Sequence, residues 1–296
     1  MIPGREPLFK ADDVSKWWKS NPQTYASDFH GGMQFGNKKV EFGTREYFES
    51  IDAEFYEWNV GHHGDKPFSN LFPYEQYLGK DVLEVGCGQG YQASNWAKAG
   101  AKITAVDLNP QAVKITTERF RQFDLTGNIK LCDARELPFD NETFDYVYSW
   151  GVLHHSPDIE KSLSEVLRVL KPGGGFGVYL YCRRSFYYLW GMRYVEGFLH
   201  FENQFLSPLQ LASRYTDGWE KDGNPHTWPV TVSEMKSVFQ DNCDDLKMSS
   251  LEIFPPTPMW AHFMPPVLRD LVPSFVQRAW IQNVFWNLWI SGRKKT

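Results

Sequence analysis

The stretch DVLEVGCGQG, residues 81–90, has the pattern of a buried strand that runs into a glycine-rich loop. Dinucleotide-binding loops follow the pattern G-x-G-x-x-G, in which the third glycine lets the next helix pack closely against the strand. The glycines here are Gly86, Gly88 and Gly90. Tyr91 stands where the third glycine of that pattern would be. Because a bulky ring opposes such close packing, the loop favours a ligand other than a dinucleotide.

Two carboxylates near this loop narrow the choice of ligand. Glu84 lies just before Gly86, where its charge would repel a pyrophosphate and attract a cation. Asp107 ends the next apolar run, KITAVD, where doubly wound folds place the acid that binds ribose hydroxyls. The expected ligand therefore has a ribose and a cationic part but no pyrophosphate. S-adenosylmethionine, with its ammonium and sulfonium groups, meets all three conditions.

Short apolar runs alternate with helical patterns from residue 81 to residue 182. This alternation predicts crossover units and a parallel, doubly wound sheet of the Rossmann-like kind. Proline is favoured at the first position of a helix, and Pro110 and Pro157 each stand at an expected helix start. Asp107 could also cap the helix near Pro110, and this role could coexist with ribose binding.

Four segments follow one another along the chain: VLEVGCGQG, VDLNP, CDARELPFDNETFDYVYSWGVLHHSPD and EVLRVLKPGGGF. In this order and spacing they resemble class I S-adenosylmethionine-dependent methyltransferases, in particular those of ubiquinone and menaquinone biosynthesis. The resemblance covers residues 81–181 and, more loosely, residues 231–293. It implies a seven-stranded, mostly parallel α/β sheet with an antiparallel last strand, for which NLWISGRKK is the candidate.

The resemblance also implies which residues hold each part of S-adenosylmethionine and which lie along it toward the substrate. The residues so assigned are Glu84, Gly86, Cys87, Gly88 and Gly90 for the methionine end, Asp107 and Leu108 for the ribose, Asp133 and Ala134 for the adenine, and Trp150 and Gly151 along the cofactor.

The parts of the chain that the resemblance covers poorly are expected to choose the substrate. Residues 1–80 are predicted to form an N-terminal helical cap, with VSKWWKSNP and TREYFESIDAEFYEWN as short amphipathic helices. Residues 81–182 would form the cofactor-binding core and residues 183–230 an inserted aromatic lid. Residues 231–296 would complete the core, with a proline-rich insertion at 255–280. The chain is 16% aromatic, and rings of the lid that do not pack in the core would line a pocket.

Charge and cysteine content argue against several other kinds of partner. The net charge is −5, and the only basic cluster is the tail Arg293, Lys294 and Lys295, so we expect no nucleic-acid partner. The four cysteines are widely spaced, which fits reduced thiols. Without a signal-peptide pattern or an apolar run of spanning length, we expect a cytoplasmic protein with no transmembrane segment that acts on a small molecule. The sequence does not indicate an oligomeric state.

Four side chains outside the cofactor set are candidates for acid–base catalysis. His154 could act as a general base because imidazole titrates near neutrality. Tyr215, Asp217 and His226 gather in the polar segment YTDGWEKDGNPHTW, which could equally be a solvated turn. We expect no metal at His154 and His155, because adjacent side chains seldom point the same way and no third ligand stands near them in the sequence.

These features predict a methyltransferase that moves the methyl group of S-adenosylmethionine to an oxygen of a small aromatic or partly lipidic metabolite. The reaction is an in-line displacement at an activated sulfonium, so the protein needs chiefly to position the acceptor and exclude water. N- or S-methylation of a small amine or thiol is the alternative. A nicotinamide-dependent dehydrogenase is disfavoured by Tyr91 and Glu84. A non-catalytic cofactor-binding or scaffold protein would instead expose its rings in a large apolar patch.

Overall fold

The computed structural model describes residues 14, 16–18, 34–35, 38–217, 224–251 and 286–296. The predicted proline-rich insertion at 255–280 lies outside the described residues, as do residues 218–223 of the predicted lid. Within the described ranges, no helix is both long enough and apolar enough to cross a membrane.

A mixed seven-stranded sheet forms the centre of the described structure. Its order is β5-β4-β3-β6-β7-β9-β8, in which β3 to β7 run parallel while β9 is antiparallel to both β7 and β8. The prediction of a mostly parallel sheet of seven strands with an antiparallel last strand is confirmed. In chain order the strands are β1 (Gln34–Phe35) and β2 (Lys38–Lys39), which form a separate antiparallel pair, then β3 (Asp81–Val85), β4 (Lys102–Asp107), β5 (Asn128–Leu131), β6 (Phe144–Trp150), β7 (Leu170–Tyr181), β8 (Cys243–Leu251) and β9 (Asn287–Lys294).

The position of β3 in this order explains where a ligand can bind. β3 pairs in parallel with β4 on one side and with β6 on the other. The chain first builds the sheet outward through β4 and β5 and then returns to the far side of β3, which makes the carboxyl end of β3 a topological switch point. Ligands of such sheets bind in the crevice at this point, and the glycine loop at residues 86–90 directly follows β3.

Side-chain caps fix the helix starts on either side of the sheet. Pro110 is the first residue of its helix, as predicted, and the Asn109 side chain accepts a hydrogen bond from Gln111 N. The helix expected at Pro157 begins later, at Ile159, because the Asp158 side chain accepts from Lys161 N and caps it. The helices are α1 (Arg45–Trp58), α2 (Tyr91–Lys98), α3 (Pro110–Gln122), α4 (Ile159–Val169), a π-helix (Tyr187–Leu199), α5 (Pro208–Arg214) and α6 (Val232–Phe239), with 3-10 turns at Val60–His62, Tyr74–Tyr77, Leu153–His155 and Glu202–Gln204.

The two faces of the sheet have different cores. Because side chains alternate along a strand, Tyr146 and Tyr148 of β6 face one side while Val147 faces the other. The side of Val147 is mainly aliphatic and packs against α4 and α6. The opposite side is rich in aromatic rings and packs against α1 and the segment that follows it. The N-terminal region is therefore part of the hydrophobic core.

The π-helix carries a row of aromatic rings on the protein surface. Phe186 stacks on Trp190, which in turn contacts Tyr194, and Tyr194 stacks on Phe198. Trp190 is 51% exposed and Phe198 is 62% exposed. These rings therefore pack against one another in contact with solvent.

Candidate active site

A cavity of about 780 Å³ opens at the carboxyl ends of β3, β4 and β6. Small-molecule sites commonly have volumes in this range. The structure brings nearly all the predicted cofactor residues to its wall, whereas Gly90 lies behind the wall at the start of α2. The predicted residues on the wall are Glu84, Gly86, Cys87, Gly88, Asp107, Leu108, Asp133, Ala134, Trp150 and Gly151.

The glycine loop has a backbone that only glycine adopts easily. Gly86 and Gly90 have φ angles of +88° and +76°. A Cβ at Gly86 would collide with the Val152 side chain, and one at Gly90 would lie 2.9 Å from Thr116 Cγ2. At Gly88, by contrast, no heavy atom lies within 4 Å of the place that a Cβ would take. The loop is thus held tightly at both ends and open toward the cavity in its middle.

Asp107 connects the end of β4 to the glycine loop. Its Oδ2 accepts a hydrogen bond of 2.9 Å from Gly88 N, and its Oδ1 accepts one of 2.8 Å from Asn109 N. Since Asn109 caps α3, Asp107 does not serve as the helix cap that the sequence left open. Each carboxylate oxygen keeps a further lone pair, so Asp107 can hold the loop and still accept hydrogen bonds from ribose hydroxyls.

Glu84 provides the negative end of the cavity. Its side chain is buried, and Oε2 meets no hydrogen-bond partner among the residues that the structure describes. Burial raises the pKa of the Glu84 carboxyl well above its ordinary value, and the charge of Asp107 adds to the rise. A cationic group at Oε2 would favour the ionised carboxylate. The site therefore fits the ammonium of S-adenosylmethionine.

Tyr91, which departs from the dinucleotide pattern, anchors the N-terminal region to the loop. Its ring stacks on Phe55 of α1 with a centroid distance of 4.1 Å. The guanidinium of Arg119 lies 4.8 Å from the same ring. Arg119 also donates from Nε to the Gln89 carbonyl at 2.6 Å and from Nη1 to Asp52 at 2.7 Å. One buried arginine therefore joins α3, α1 and the glycine loop.

The outer part of the cavity is built by the N-terminal region. Trp18, Phe42 and Phe55 line it, and the Trp18 carbonyl accepts a hydrogen bond from Asn109 Nδ2. In contrast, no described residue of the predicted lid, 183–230, lines this cavity. The expectation that lid rings form its wall is not met by the described residues, because most rings of the π-helix lie at the surface and the buried Tyr188 packs in a separate cluster with Met192.

His155, which the sequence analysis did not choose, lies on the cavity wall. Its Nδ1 is 2.9 Å from the His226 carbonyl oxygen, and its Nε2 is 3.2 Å from Asp217 Oδ2. The edge of Trp18 packs on the same ring at a centroid distance of 5.0 Å. No sequence signal links His155 to Asp217. The two residues are far apart in the chain, and only the complete fold brings them into contact.

The other predicted catalytic side chains lie off the cavity wall. His154 is fully buried against the ring of Tyr181, and burial lowers its pKa well below the ordinary value. His226 is buried next to Trp228, while the Tyr215 hydroxyl donates to Glu202 at 2.7 Å. Because Leu153–His155 is a 3-10 turn, successive side chains point in different directions, so only the second histidine reaches the cavity. This geometry favours His155 over His154, Tyr215 and His226 for contact with an acceptor.

Family comparison defines the class of this protein. Residues 83–178 match the family model described as a methyltransferase domain. This match shows that residues 83–178 are a methyltransferase domain, and the fold around them is one that S-adenosylmethionine-dependent methyltransferases share. The predictions of class and cofactor are confirmed. The narrower resemblance to ubiquinone and menaquinone methyltransferases stays a prediction.

Particular relatives are similar to this chain over its central part. A sterol 24-C-methyltransferase of Gibberella zeae is 29% identical over 57% of this chain and 48% of its own length. A sterol 4-C-methyltransferase of Caenorhabditis elegans is 37% identical over 33% of this chain and 30% of its own. The phthiotriol/phenolphthiotriol dimycocerosates methyltransferase of Mycobacterium leprae is 43% identical over 32% and 36%. The chain thus spans half or less of the length of these relatives.

Solved structures share the fold at low identity. The cyclase SpnF has a TM-score of 0.53 at 17% identity and is covered over 97% of both chains. An S-adenosylmethionine-dependent methyltransferase from Methanosarcina mazei has a TM-score of 0.50 at 19% identity, over 76% of this chain and 98% of its own. A cyclase among such neighbours shows that this fold carries more than one chemistry, so the acceptor must be argued from the site.

Proposed function

We propose that this protein transfers the methyl group of S-adenosylmethionine to an oxygen of a small aromatic or partly lipidic acceptor. The observation that carries the proposal is one cavity that is lined by two carboxylates and also by a histidine and aromatic rings. We assign Glu84 and Asp107 to a cofactor end, and His155, with Trp18 against its ring, to an acceptor end. A cofactor and an acceptor can then meet inside a single space.

We assign the proposed cofactor contacts from the charged side chains at the cofactor end of the cavity. Glu84 would hold the ammonium, Asp107 the ribose hydroxyls, and the loop around Gly88 the methionine chain. Asp133 and Ala134 would border the adenine, and Asp133 keeps its orientation through a 2.6 Å ion pair with Arg135. When bound, S-adenosylmethionine supplies a methyl group that is already activated by its sulfonium. The residues of the chain then contribute positioning and the exclusion of water.

The proposed acceptor is apolar with one hydroxyl. Trp18, Phe42 and Phe55 give the outer cavity an apolar wall suited to rings or lipid chains. His155, backed by Asp217, is the polar group at that end and can contact a hydroxyl oxygen. The names of the relatives point to sterols and to lipids for those proteins, which supports a partly lipidic acceptor here.

Methylation of a carbon of a sterol-like lipid is the second candidate. It is favoured by the relatives described as sterol C-methyltransferases. None of the relatives described above is named as an N- or S-methyltransferase. For the domains, we propose the boundaries 1–80, 81–182, 183–230 and 231–296, with the N-terminal part taking the larger share in acceptor binding because its rings line the cavity.

Binding and label transfer together test this proposal. Calorimetric titration should show binding of S-adenosylmethionine and S-adenosylhomocysteine but not of NAD. A screen with methyl-labelled cofactor should then compare hydroxylated sterols and phenolic lipids with matched acceptors whose hydroxyl is replaced by hydrogen. Label in the hydroxylated set alone supports O-methylation, whereas label in both sets supports the carbon acceptor. Binding of the two cofactors without label in any set or in a whole metabolite extract would favour the non-catalytic alternative.

A further inference from the structure

Three side chains of metal-ligand type meet beside the cavity, where His155 forms part of its wall. His154, His155 and Asp217 each place a donor atom within 4.8 Å of the other two. The sequence suggested no third ligand beside the adjacent histidines, but the fold brings Asp217 to them from the segment that follows α5. Both histidines are buried, and Asp217 is mostly covered. Buried groups of this kind are typically paired with one another or bound to a metal ion.

Hydrogen bonding fixes the tautomer of His155. A backbone carbonyl can only accept, so the 2.9 Å contact with the His226 carbonyl places the proton of a neutral His155 on Nδ1. Its Nε2 then points a lone pair at Asp217 Oδ2, at 3.2 Å. Two acceptors that face each other repel, and a cation bound between them would remove this repulsion. Metal-binding histidines show this same arrangement, with the other ring N–H donated to a carbonyl.

The distances suit a metal ion as that cation. A tetrahedral Zn²⁺ with bonds of about 2.1 Å holds its ligand atoms about 3.4 Å apart. The separation of 3.2 Å between His155 Nε2 and Asp217 Oδ2 is close to this value. Neither ring nitrogen of the buried His154 has a hydrogen-bond partner within the described part of the chain. Its donor atom lies within 4.8 Å of those of His155 and Asp217, so a shift of the His154 ring toward them would supply the third ligand.

We propose that His154, His155 and Asp217 bind one divalent transition metal ion. Two imidazoles and a carboxylate form a ligand set typical of Zn²⁺, and three protein ligands leave one position open. Since His155 lies on the cavity wall, the proposed ion would lie next to the cavity, and its open position could be taken by an acceptor there.

The role of this ion rests on the proposed function. The ion would bind the acceptor hydroxyl, which loses its proton to solvent. The oxygen then forms a bond to the methyl carbon while the bond from that carbon to sulfur breaks and its electron pair stays on sulfur.

Metal titration of the full-length, untagged protein tests the site without any turnover. Chelator-treated protein is titrated with Zn²⁺ by calorimetry in the absence of S-adenosylmethionine, with Mg²⁺ as the hard-cation control. We expect one Zn²⁺ per chain, no comparable Mg²⁺ binding, and affinity weaker by about tenfold or more in His155→Gln and in Asp217→Asn. His200→Gln is the matched control, because His200 forms an exposed pair with Glu196 at 2.8 Å. It should bind Zn²⁺ like the wild type.

Several outcomes would overturn the metal site. Stoichiometric Zn²⁺ binding that persists in both His155→Gln and Asp217→Asn would place the ion elsewhere. No Zn²⁺ binding by the wild type would mean that a proton lies between His155 and Asp217 and that they form an imidazolium–carboxylate pair. S-adenosylmethionine affinity, measured on each variant, reports that it is folded.

The metal site and the proposed function can fail separately. If the protein transfers methyl groups but binds no Zn²⁺, the metal inference is wrong and the proposed function still stands. Zn²⁺ binding with neither S-adenosylmethionine binding nor labelled product would remove the proposed function.

Discussion

The two ends of the cavity are built in different ways. At the cofactor end, Glu84, Gly88 and Asp107 belong to two neighbouring strands and the loop between strand and helix. At the acceptor end, Trp18, His155 and the Asp217 beside it come from segments that are far apart in the chain. The arrangement of side chains at the first end thus depends on residues that are close in sequence, whereas the arrangement at the second end depends on the whole fold. Substitutions should therefore separate cofactor affinity from acceptor recognition.

The largest effect is expected for Gly86→Ala. The added Cβ meets Val152 at a φ of +88°, so the loop must move. A displacement of this kind at a binding loop can cost about 100-fold, and we expect such a loss of S-adenosylmethionine affinity in calorimetry. Gly79→Ala is the control, because Gly79 has a φ of +70° but no heavy atom within 4 Å of its Cβ position. Equal affinities in the two variants would contradict the steric argument.

Asp107→Ala should weaken cofactor binding next most strongly. Hydrogen bonds to a charged group are worth about 1.5 to 3 kcal/mol, so we expect a loss of roughly 10- to 150-fold in S-adenosylmethionine affinity. Part of this loss would come from the loop, because Gly88 N also donates to Asp107. S-adenosylhomocysteine should lose the same factor, since it keeps the ribose. Unchanged affinity for both would remove Asp107 from the site.

The pH dependence of cofactor binding tests Glu84. Burial raises the pKa of Glu84 well above its ordinary value, and burial also raises that of Asp107. A cation favours the ionised carboxylate, so affinity should rise with pH through this raised range and fall as pH drops and the carboxyl is protonated. Glu84→Gln should bind more weakly at high pH and show a smaller pH slope, with Asp107 accounting for the remainder. An equal slope in both proteins would contradict this role.

The smallest effect is expected at the acceptor end. Trp18→Ala removes one aromatic wall of the outer cavity, and such ring contacts are worth about 0.5 to 1.5 kcal/mol. We expect KM for the acceptor to rise by roughly 2- to 12-fold while S-adenosylmethionine affinity stays unchanged. Trp17→Ala is the neighbouring control, because Trp17 does not line the cavity. If Trp18→Ala lowers cofactor affinity instead, the two ends are not separable.

Much of the fold and of the cofactor end could be predicted because their signals are local. A strand, a glycine loop and the following helix form about one supersecondary unit. The sequence spacing of Glu84, Gly86 and Asp107 therefore indicates how these residues are placed relative to one another. From the sequence, Asp107 was also a candidate cap of α3, but the structure shows that the Asn109 side chain caps this helix. The start of α4 that Pro157 predicted is too early, because Asp158 is the residue that caps this helix.

The acceptor end could not be predicted to the same degree. Periodicity does not tell which of two adjacent histidines faces a cavity when both lie in a 3-10 turn. Aromatic content does not tell whether rings such as Trp190 face solvent or a pocket. In the chain, α4, β7, the π-helix and α5 lie between His155 and its partner Asp217, so only the folded structure reveals their contact.

Arg119 has a consequence for the order in which ligands act. It is fully buried and touches the Gln89 carbonyl of the loop as well as Asp52 of α1. Detaching α1 would leave the guanidinium without its carboxylate, and a shift of the loop would be felt by α1 in turn. Binding linkage is reciprocal, so an acceptor that tightened α1 against the loop and raised cofactor affinity would itself bind more tightly, by the same factor, once the cofactor is bound. Arg119 is the buried contact through which such a coupling would pass.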